Sequence, residues 1–428
     1  MSNTLIFPGG TENGLEIKRS LEQKKNINIF SVADSKDDNS FFYYDNSFLL
    51  PNVSDSSCID ELNDLIIKYS IDFIFPANSL VIDFLVKNRD KVKCQILLTN
   101  SESIKITRDK LKTYNLFNSK DWCPKFYTNL AEIESEDFPL FLKPKSSYGS
   151  KGILKINCLN DLKDIDLTSN VLAEYLPGDE VTVECFSNLN GKLIYSKART
   201  RKRIRMGTSL FSDSNFTKDD IHDFDNIAQS ISESIKIEGL WFFQLKKSAS
   251  NKFKLLEVEC RVAGSMAYSR SNNVNLPYLQ YLLFNSGNVQ INPNKIDFFQ
   301  SRSLDLVYKT KLKLKLKFLY IDLDETIIVN NKINNYMINI IIKAINKNIK
   351  VVLITKSLET NLTNYLKSKR IYDLFDDIIH LSEKEDKYKY MTNDGIFIDN
   401  SFTQRNDATF NGILSFDPDS HELISSLI

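Results

Sequence analysis

The sequence predicts an α/β and α+β multidomain chain, and three observations carry that prediction. Its 428 residues exceed what one ordinary core organises, which points to about three domains. Short apolar strands alternate with helical stretches at the N-terminus, the pattern of β-α-β units. After residue 300 the composition changes, and buried strand-like runs recur at 318–321, 351–354 and 396–398.

Composition narrows the function classes. Lys+Arg and Asp+Glu both total 55, so the overall charge suggests no nucleic acid partner. The six cysteines contain no C-x-x-C pair and several sit in apolar runs, as expected of a reduced, cytoplasmic protein without a zinc site. The N-terminus has no charged segment before Pro8 and only a short apolar run, so no signal peptide is expected. No apolar run is long enough for a membrane span.

The elements follow in order. Residues 4–7 form an apolar strand, Pro8-Gly9-Gly10-Thr11 a turn, and 15–21 the start of a helix. A dinucleotide fingerprint would need glycine where Thr11 stands, so no NAD site is expected. Strands follow at 27–32, 73–75 and 95–98, with a helix at 59–69. Residues 9–12 and 76–79 lie beyond strand ends, where open α/β sheets bind ligands, though two plain turns would read the same way. A polar helix is expected over 103–116. Its Asp109-Lys110 pair reads on its own as a solvated face.

The stretch 138–153, FPLFLKPKSSYGSKGI, embeds Lys143 at the end of an apolar strand and passes into a small-residue loop. An ammonium beside such a loop suits a polyphosphate; an ordinary hairpin is the alternative. Further on, Glu174 and Glu180 flank a Pro-Gly break, where a carboxylate can accept from an adenine amino group or a ribose hydroxyl, or equally cap a turn. The run 197–205, KARTRKRIR, is either a solvated loop or a neutraliser of charge at a phosphoryl-transfer site. Strands 241–246 and 254–260 read as a hairpin, and the strand period of two puts Glu257 and Glu259 on one face. Adjacent carboxylates repel unless a cation lies between them, and Mg2+ is the economical choice; a solvent-facing strand of an antiparallel sheet is the alternative.

Taken together, residues 1–300 resemble the ATP-grasp superfamily, in the branch of carbamoyl-phosphate synthetase and amino-acid ligases. The resemblance rests on D-K in a helix, a lysine strand with a glycine-bearing loop, E-x-x-x-G-x-E, an arginine-bearing loop, and Q followed by E-x-E-x-R. It implies a Rossmann-like domain at 1–102 and an ATP-grasp domain at 103–305. Lys110 and Lys143 would contact ATP phosphates, with Ser146, Ser147, Tyr148, Gly149, Ser150 and Gly152 in a mobile lid. Glu174 and Leu176 would flank adenine, and Glu180 would hold the ribose. Gln244, Glu257 and Glu259 would hold Mg2+, with Glu259 where the family commonly has Asn. Arg261, with Arg203 or Arg205, would sit where an acyl phosphate forms. The implied reaction joins a small-molecule carboxylate to an amine and releases ADP. Relatives of this type often dimerise, so a homodimer is admitted.

Residues 309–317 alternate Lys with Thr or Leu and are expected to form a half-exposed strand. The strand 318–321 then runs into Asp322-Leu323-Asp324-Glu325-Thr326. This D-x-D-x-T resembles the nucleophile motif of the haloacid dehalogenase (HAD) superfamily, which implies a third, HAD-like Rossmannoid phosphatase domain at 306–428. Asp322 would attack phosphorus, and Asp324 would protonate the leaving group and later activate water. The resemblance further implies Thr355 and Lys387, with Lys384 as second choice, on the phosphate, and Asp322, Asp324 and Asp399 around Mg2+. Asn400 stands where a second acid is frequent. The stretch from Asp324 to Val351 is too short for a large cap, so a capless site acting on a phosphorylated small molecule is expected. The alternatives are a phosphatase whose ATP-grasp part only binds nucleotide or substrate, and a non-catalytic nucleotide-responsive regulator.

Overall fold

The computed structural model describes residues 1–146, 152–163, 165–205, 207–287, 289–293, 299–301 and 316–428. Contacts group the chain into two compact units, Met1–Leu304 and Asp305–Ile428. The division expected at 102/103 falls inside the first. No described helix is long and apolar enough to cross a membrane.

The first unit opens with a parallel sheet of β1 (Ser2–Phe7), β2 (Ile27–Ala33), β3 (Ser47–Leu49), β4 (Phe73–Pro76) and β5 (Gln95–Ile96), in the order β3-β2-β1-β4-β5. The last strand pairs only at its first two residues, shorter than the expected 95–98. Helices cover the sheet, so β4 is buried along its whole length and reads as a continuous apolar run. The chain leaves β1 toward β2 on one side and β4 on the other, so a crevice opens at the carboxyl ends of these two strands. β1 and β4 each feed a helix with a side-chain cap. Thr11 accepts from Gly14 N at the start of Glu12–Leu21, and Asn78 from Val81 N at the start of Ser79–Lys87. Gly14 is required there, since a Cβ would lie 2.4 Å from the Gly9 carbonyl oxygen.

Two antiparallel sheets follow. The smaller holds β6 (Phe126–Tyr127), β7 (Leu140–Pro144), β8 (Leu154–Ile156) and β9 (Asn170–Glu174), ordered β6-β9-β7-β8. The larger contains β10 (Glu180–Ser187) and β11 (Leu193–Thr200). A short sheet of β12 (Lys202–Arg205), β13 (Thr208–Ser212) and a strand at Gln300–Ser301 lies beside it in sequence. The hairpin of β14 (Gly239–Lys247) and β15 (Phe253–Glu259) completes the larger sheet as β11-β10-β14-β15. Its two faces separate cleanly. Val181, Val183 and Cys185, with Trp241, Phe243 and Leu245, pack in one core with Phe224, Ile227 and Ile231 of the helix Lys218–Ile235. The intervening residues Glu180, Thr182, Glu184, Phe242, Gln244 and Lys246 take the other face.

The second unit is a parallel sheet. With β16 being Gln300–Ser301, its strands are β17 (Phe318–Ile321), β18 (Ile328–Val329), β19 (Lys332–Ile333), β20 (Lys350–Thr355), β21 (Asp377–His380), β22 (Gly395–Ile398) and β23 (Leu414–Phe416). The sheet runs β21-β20-β17-β22-β23, and β18 and β19 form a separate hairpin. The hairpin turns on Asn330 and Asn331, both at positive φ, the conformation such tight connections need. Again the order reverses at the first strand, so Asp322, Thr355 and Asp399 emerge at one end of three adjacent strands. Of the strand expected at 309–317, only Leu316 and Lys317 lie within the described residues.

Candidate active sites

In the first unit a cavity of about 520 Å3 is lined from three directions. The small sheet contributes Phe141, Lys143 and Glu174, the large sheet Arg199, Gln244 and Glu257, and the first-sheet turns Thr11 to Asn13 and Asn78. Its size suits a small-molecule ligand.

Strand register builds the floor. Thr182 is opposite Arg199 on one side and Gln244 on the other, and Gln244 is opposite Glu257, so Arg199, Thr182, Gln244 and Glu257 form one row. The next row is Lys197, Glu184, Phe242 and Glu259, and the preceding one contains Glu180 and Lys246. The register shifts after Gln244, where Leu245 pairs with Leu255, leaving Leu256 as an inserted residue. Its freed carbonyl accepts from the Tyr114 hydroxyl at 2.8 Å and from Lys143 Nζ at 3.2 Å; Lys143 Nζ also hydrogen-bonds the Tyr114 oxygen.

The helix expected over 103–116 is instead two, Ser101–Thr107 and Lys110–Phe117. Asp109 caps the second by accepting from Leu111 N and Lys112 N. Lys110 therefore starts a helix and is buried, not solvated, and its Nζ lies 3.6 Å from Glu257 Oε2. Tyr114, one turn later on the same face, meets Lys143, so a single short helix joins both lysines.

Charge and burial compete in this cavity. Burial, with Lys110 adding repulsion, pulls the Lys143 ammonium from 10.5 down to about 7. Burial pushes Glu257 up, but Lys110, Arg261, Lys143 and Arg201 outweigh it and hold the carboxyl below its ordinary value. Glu259 moves the opposite way. Burial raises it and the neighbouring Glu257 charge adds to that, against Arg261 and Arg108. Arg108, which sequence reasoning passed over, grips Asp83 through Nε and Nη2 at 3.1 and 3.0 Å and reaches Glu259 through Nη1 at 3.3 Å. Glu259 Oε2 remains buried without a hydrogen-bond partner.

The other expected residues fall as follows. Glu174 accepts from Lys125 N at 2.8 Å, and Leu176 lines the cavity. Glu180 pairs with Arg201 Nε at 2.9 Å and, at 3.8 Å, with Lys246. Arg261 stands 3.4 Å from Glu259 and over the Phe242 ring. Ser146 donates to the Arg108 carbonyl at 2.9 Å, and Gly152 adopts φ 73°. Ser147, Tyr148, Gly149 and Ser150 lie outside the described residues.

Arg203 and Arg205 require a correction. Both are exposed on β12 and neither lines the cavity; Arg203 donates to Ser301 Oγ and the Leu210 carbonyl. The arginines of the basic run that do line it are Arg199 and Arg201. The strand period along β11 puts 197 and 199 on one face, and Arg201 follows just past the strand end. The chain then breaks before β12, with Arg203 at φ 49°, which carries the later arginines away.

In the second unit Asp322 and Asp399, both buried, share the Lys387 ammonium at 2.7 and 2.6 Å. Burial, with Asp399 adding to it, raises the Asp322 carboxyl to about 6 in spite of Lys387. Asp399 also accepts from Ser401 N at 2.7 Å. Thr355, fully buried at the end of β20, accepts from Ser357 N at 3.1 Å. Asp324 is on the exposed rim, and Lys384 is exposed. Asn400 N donates to Thr326 Oγ1 at 3.1 Å, so the residue in the second-acid position braces the D-x-D-x-T loop. Among the described residues, no group of three His, Cys, Asp or Glu side chains is arranged to hold a metal ion by itself.

Comparison with known proteins follows this geometry. The family described as "ATP-grasp in the biosynthetic pathway with Ter operon" matches residues 166–305. No curated protein matches the chain. Among solved structures, the biotin carboxylase domain of Hydrogenobacter thermophilus 2-oxoglutarate carboxylase, in complex with MgADP, ADP and bicarbonate, is similar at 12% identity and TM-score 0.59, covering 70% of this chain and 73% of that one. Campylobacter jejuni biotin carboxylase gives 16% and 0.56, covering 68% and 72%. Staphylococcus aureus N5-carboxyaminoimidazole synthetase gives 17% and 0.55, covering 68% and 78%. Residues 166–305 thus match an ATP-grasp family model, within a mixed α/β fold like that of these structures.

Proposed function

We propose that the chain is a bifunctional enzyme. Its first unit is an ATP- and Mg2+-dependent carboxylate-amine ligase that works through an acyl phosphate and releases ADP. Its second is a HAD-type, Mg2+-dependent phosphatase that works through an aspartyl phosphate. The observation that carries the ligase reading is the meeting of Lys110 and Lys143 with the Gln244 and Glu257 pair in one cavity. The family match and the ADP-bound neighbours support it.

In this reading the adenine lies between Glu174 and Leu176, Glu180 accepts from the ribose, and the two lysines bind phosphate oxygens. The acid's carboxylate oxygen attacks the γ-phosphorus and the bond to the β,γ-bridging oxygen breaks, giving ADP and the acyl phosphate. The amine then attacks the acyl carbon and phosphate leaves. Arg261 and Arg201 neutralise the charge that builds on the transferring group, so catalysis is mainly positioning and electrostatics. The donors fit Mg2+: carboxylate and amide oxygens from Gln244, Glu257 and Glu259, with the Glu259 Oε2 accepting no hydrogen bond. The ion would supply neutralisation across the phosphate oxygens.

In the second unit, Asp322 attacks phosphorus, Asp324 on the rim protonates the departing oxygen and then draws a proton from water, and Thr355 and Lys387 hold phosphate oxygens. Two buried carboxylates, Asp322 and Asp399, fit an ion that keeps several waters, and Mg2+ there would let a phosphate dianion approach a carboxylate.

The ligase test is the nucleotide product. With Mg2+ and a panel of acids and amines, ATP should be converted to ADP and phosphate; AMP and pyrophosphate would sink the assignment.

A further inference from the structure

Three arginines of the cavity have a buried N–H without a hydrogen-bond partner, Arg199 at Nη1 and Arg201 and Arg261 at Nε. Arg199, only 2% exposed, lines the cavity from β11. Its Nε donates to Glu184 Oε1 at 2.8 Å, and Glu184 also accepts from Ser269 Oγ, near which stands the Tyr195 hydroxyl at 3.4 Å. Arg199 Nη1 is buried and has no partner. A guanidinium N–H left unmade in the interior is costly, and here the fork is held in place by a buried carboxylate that is itself anchored. The other two unmade donors each face a carboxylate, Arg201 Nε at 2.9 Å from Glu180 and Arg261 Nε at 3.4 Å from Glu259, whereas Arg199 makes its ion pair through Nε and leaves Nη1 over.

The register says how far this group is from the phosphate end. Arg199 and Glu257 belong to one row and are separated by β10 and β14, so three interstrand spacings put their Cα atoms about 14 Å apart. A carboxylate being phosphorylated stands within about 3.5 Å of the attacked phosphorus. That phosphorus belongs beside Lys110 and Glu257, where Arg261 and Arg201 are the arginines at hand. Arg199 is therefore placed for a different anionic group. The polar wall from Thr208 to Ser209 and from Gly264 to Ser265 lines the same cavity and leaves room for a polar body between the two.

We propose that Arg199 receives a second carboxylate of the acid substrate, so that the acid this ligase takes is a dicarboxylate. The inference rests on the ligase reading above and narrows its substrate class. The competing source of the same oxyanion chemistry is a nucleotide phosphate.

The test is titration calorimetry on the full chain saturated with AMP-PNP and Mg2+, using malonate, succinate and glutarate against butyrate, in wild type and Arg199→Lys. A lysine can keep the Glu184 ion pair but cannot serve both Glu184 and a ligand. At least one dicarboxylate should bind about tenfold or more tighter than butyrate. That preference should vanish in Arg199→Lys while AMP-PNP affinity stays within about twofold. If Arg199→Lys fails to fold, Arg199→Gln with Glu184→Gln keeps a neutral buried pair and carries the same expectation. Equal binding of butyrate and every dicarboxylate, or a preference that survives the substitution, overturns the inference. A variant that loses AMP-PNP affinity instead assigns Arg199 to the nucleotide, which overturns the inference and leaves the ligase intact. Failure of wild type to bind AMP-PNP removes the ligase reading itself.

Discussion

Replacing Lys143 with methionine should stabilise the nucleotide-free first unit while disabling it. The lysine is fully buried, and its fall from 10.5 to about 7, at 1.36 kcal/mol per pH unit, corresponds to roughly 5 kcal/mol of charge burial at pH 6. The methionine side chain would fill much the same volume and lose the hydrogen bonds to Tyr114 and the Leu256 carbonyl, worth roughly 1.5–3 kcal/mol for a charged donor. Leu256 keeps the Tyr114 donor. The net expectation is a gain of roughly 2–3 kcal/mol at pH 6. The sign with pH follows from a depressed lysine: between about 7 and 10.5 the unfolded chain binds more protons, so wild-type stability from this group rises with pH. At pH 9 the charge penalty has shrunk by roughly 3 kcal/mol, and the advantage of methionine disappears. Urea unfolding followed by tryptophan fluorescence measures this in the right place, because both tryptophans, Trp122 and Trp241, belong to the first unit. ATP affinity should fall in the same variant by about tenfold or more. A stability difference that does not change between pH 6 and 9 would refute the reasoning.

Three further outcomes are expected. Arg201→Ala should cut ADP formation at least about tenfold, whereas Arg203→Ala and Arg205→Ala should leave it within about twofold, measured by coupled assay at saturating ATP. Thr182→Val should raise stability by about 1 kcal/mol in the same fluorescence assay, because the buried Thr182 hydroxyl has no partner to lose. Lys387→Met leaves Asp322 and Asp399 buried side by side without their cation, and should cost the second unit roughly 3–5 kcal/mol at pH 8 by calorimetry. That loss should ease at low pH, where Asp322, raised to about 6, takes up a proton.

The residues legible in the sequence were those whose position follows from strand period. Glu257 and Glu259 share a face because they lie two positions apart on a strand, and Asp322, Thr355 and Asp399 each end an apolar run that becomes an interior parallel strand. What escaped depends on where regular structure stops. Asp109 was read inside a helix, but an aspartate can satisfy the N–H groups of a helix start, and it does so here, turning Lys110 from surface to interior. The basic run offered six positive residues with no sign of where the strand ends. Only the break after β11 separates Arg199 and Arg201 from Arg203 and Arg205. Arg108 and Tyr114 lay beyond reach for a different reason: their partners are 151 and 142 residues away in sequence.

The most direct test of two independent chemistries in one chain is a crossed pair of substitutions assayed for both activities. Glu257→Ala should abolish ATP-dependent ADP formation and leave hydrolysis of a generic phosphate ester unchanged, and Asp322→Asn should do the reverse. Loss of both activities from either single change, in protein that remains folded, would contradict the account.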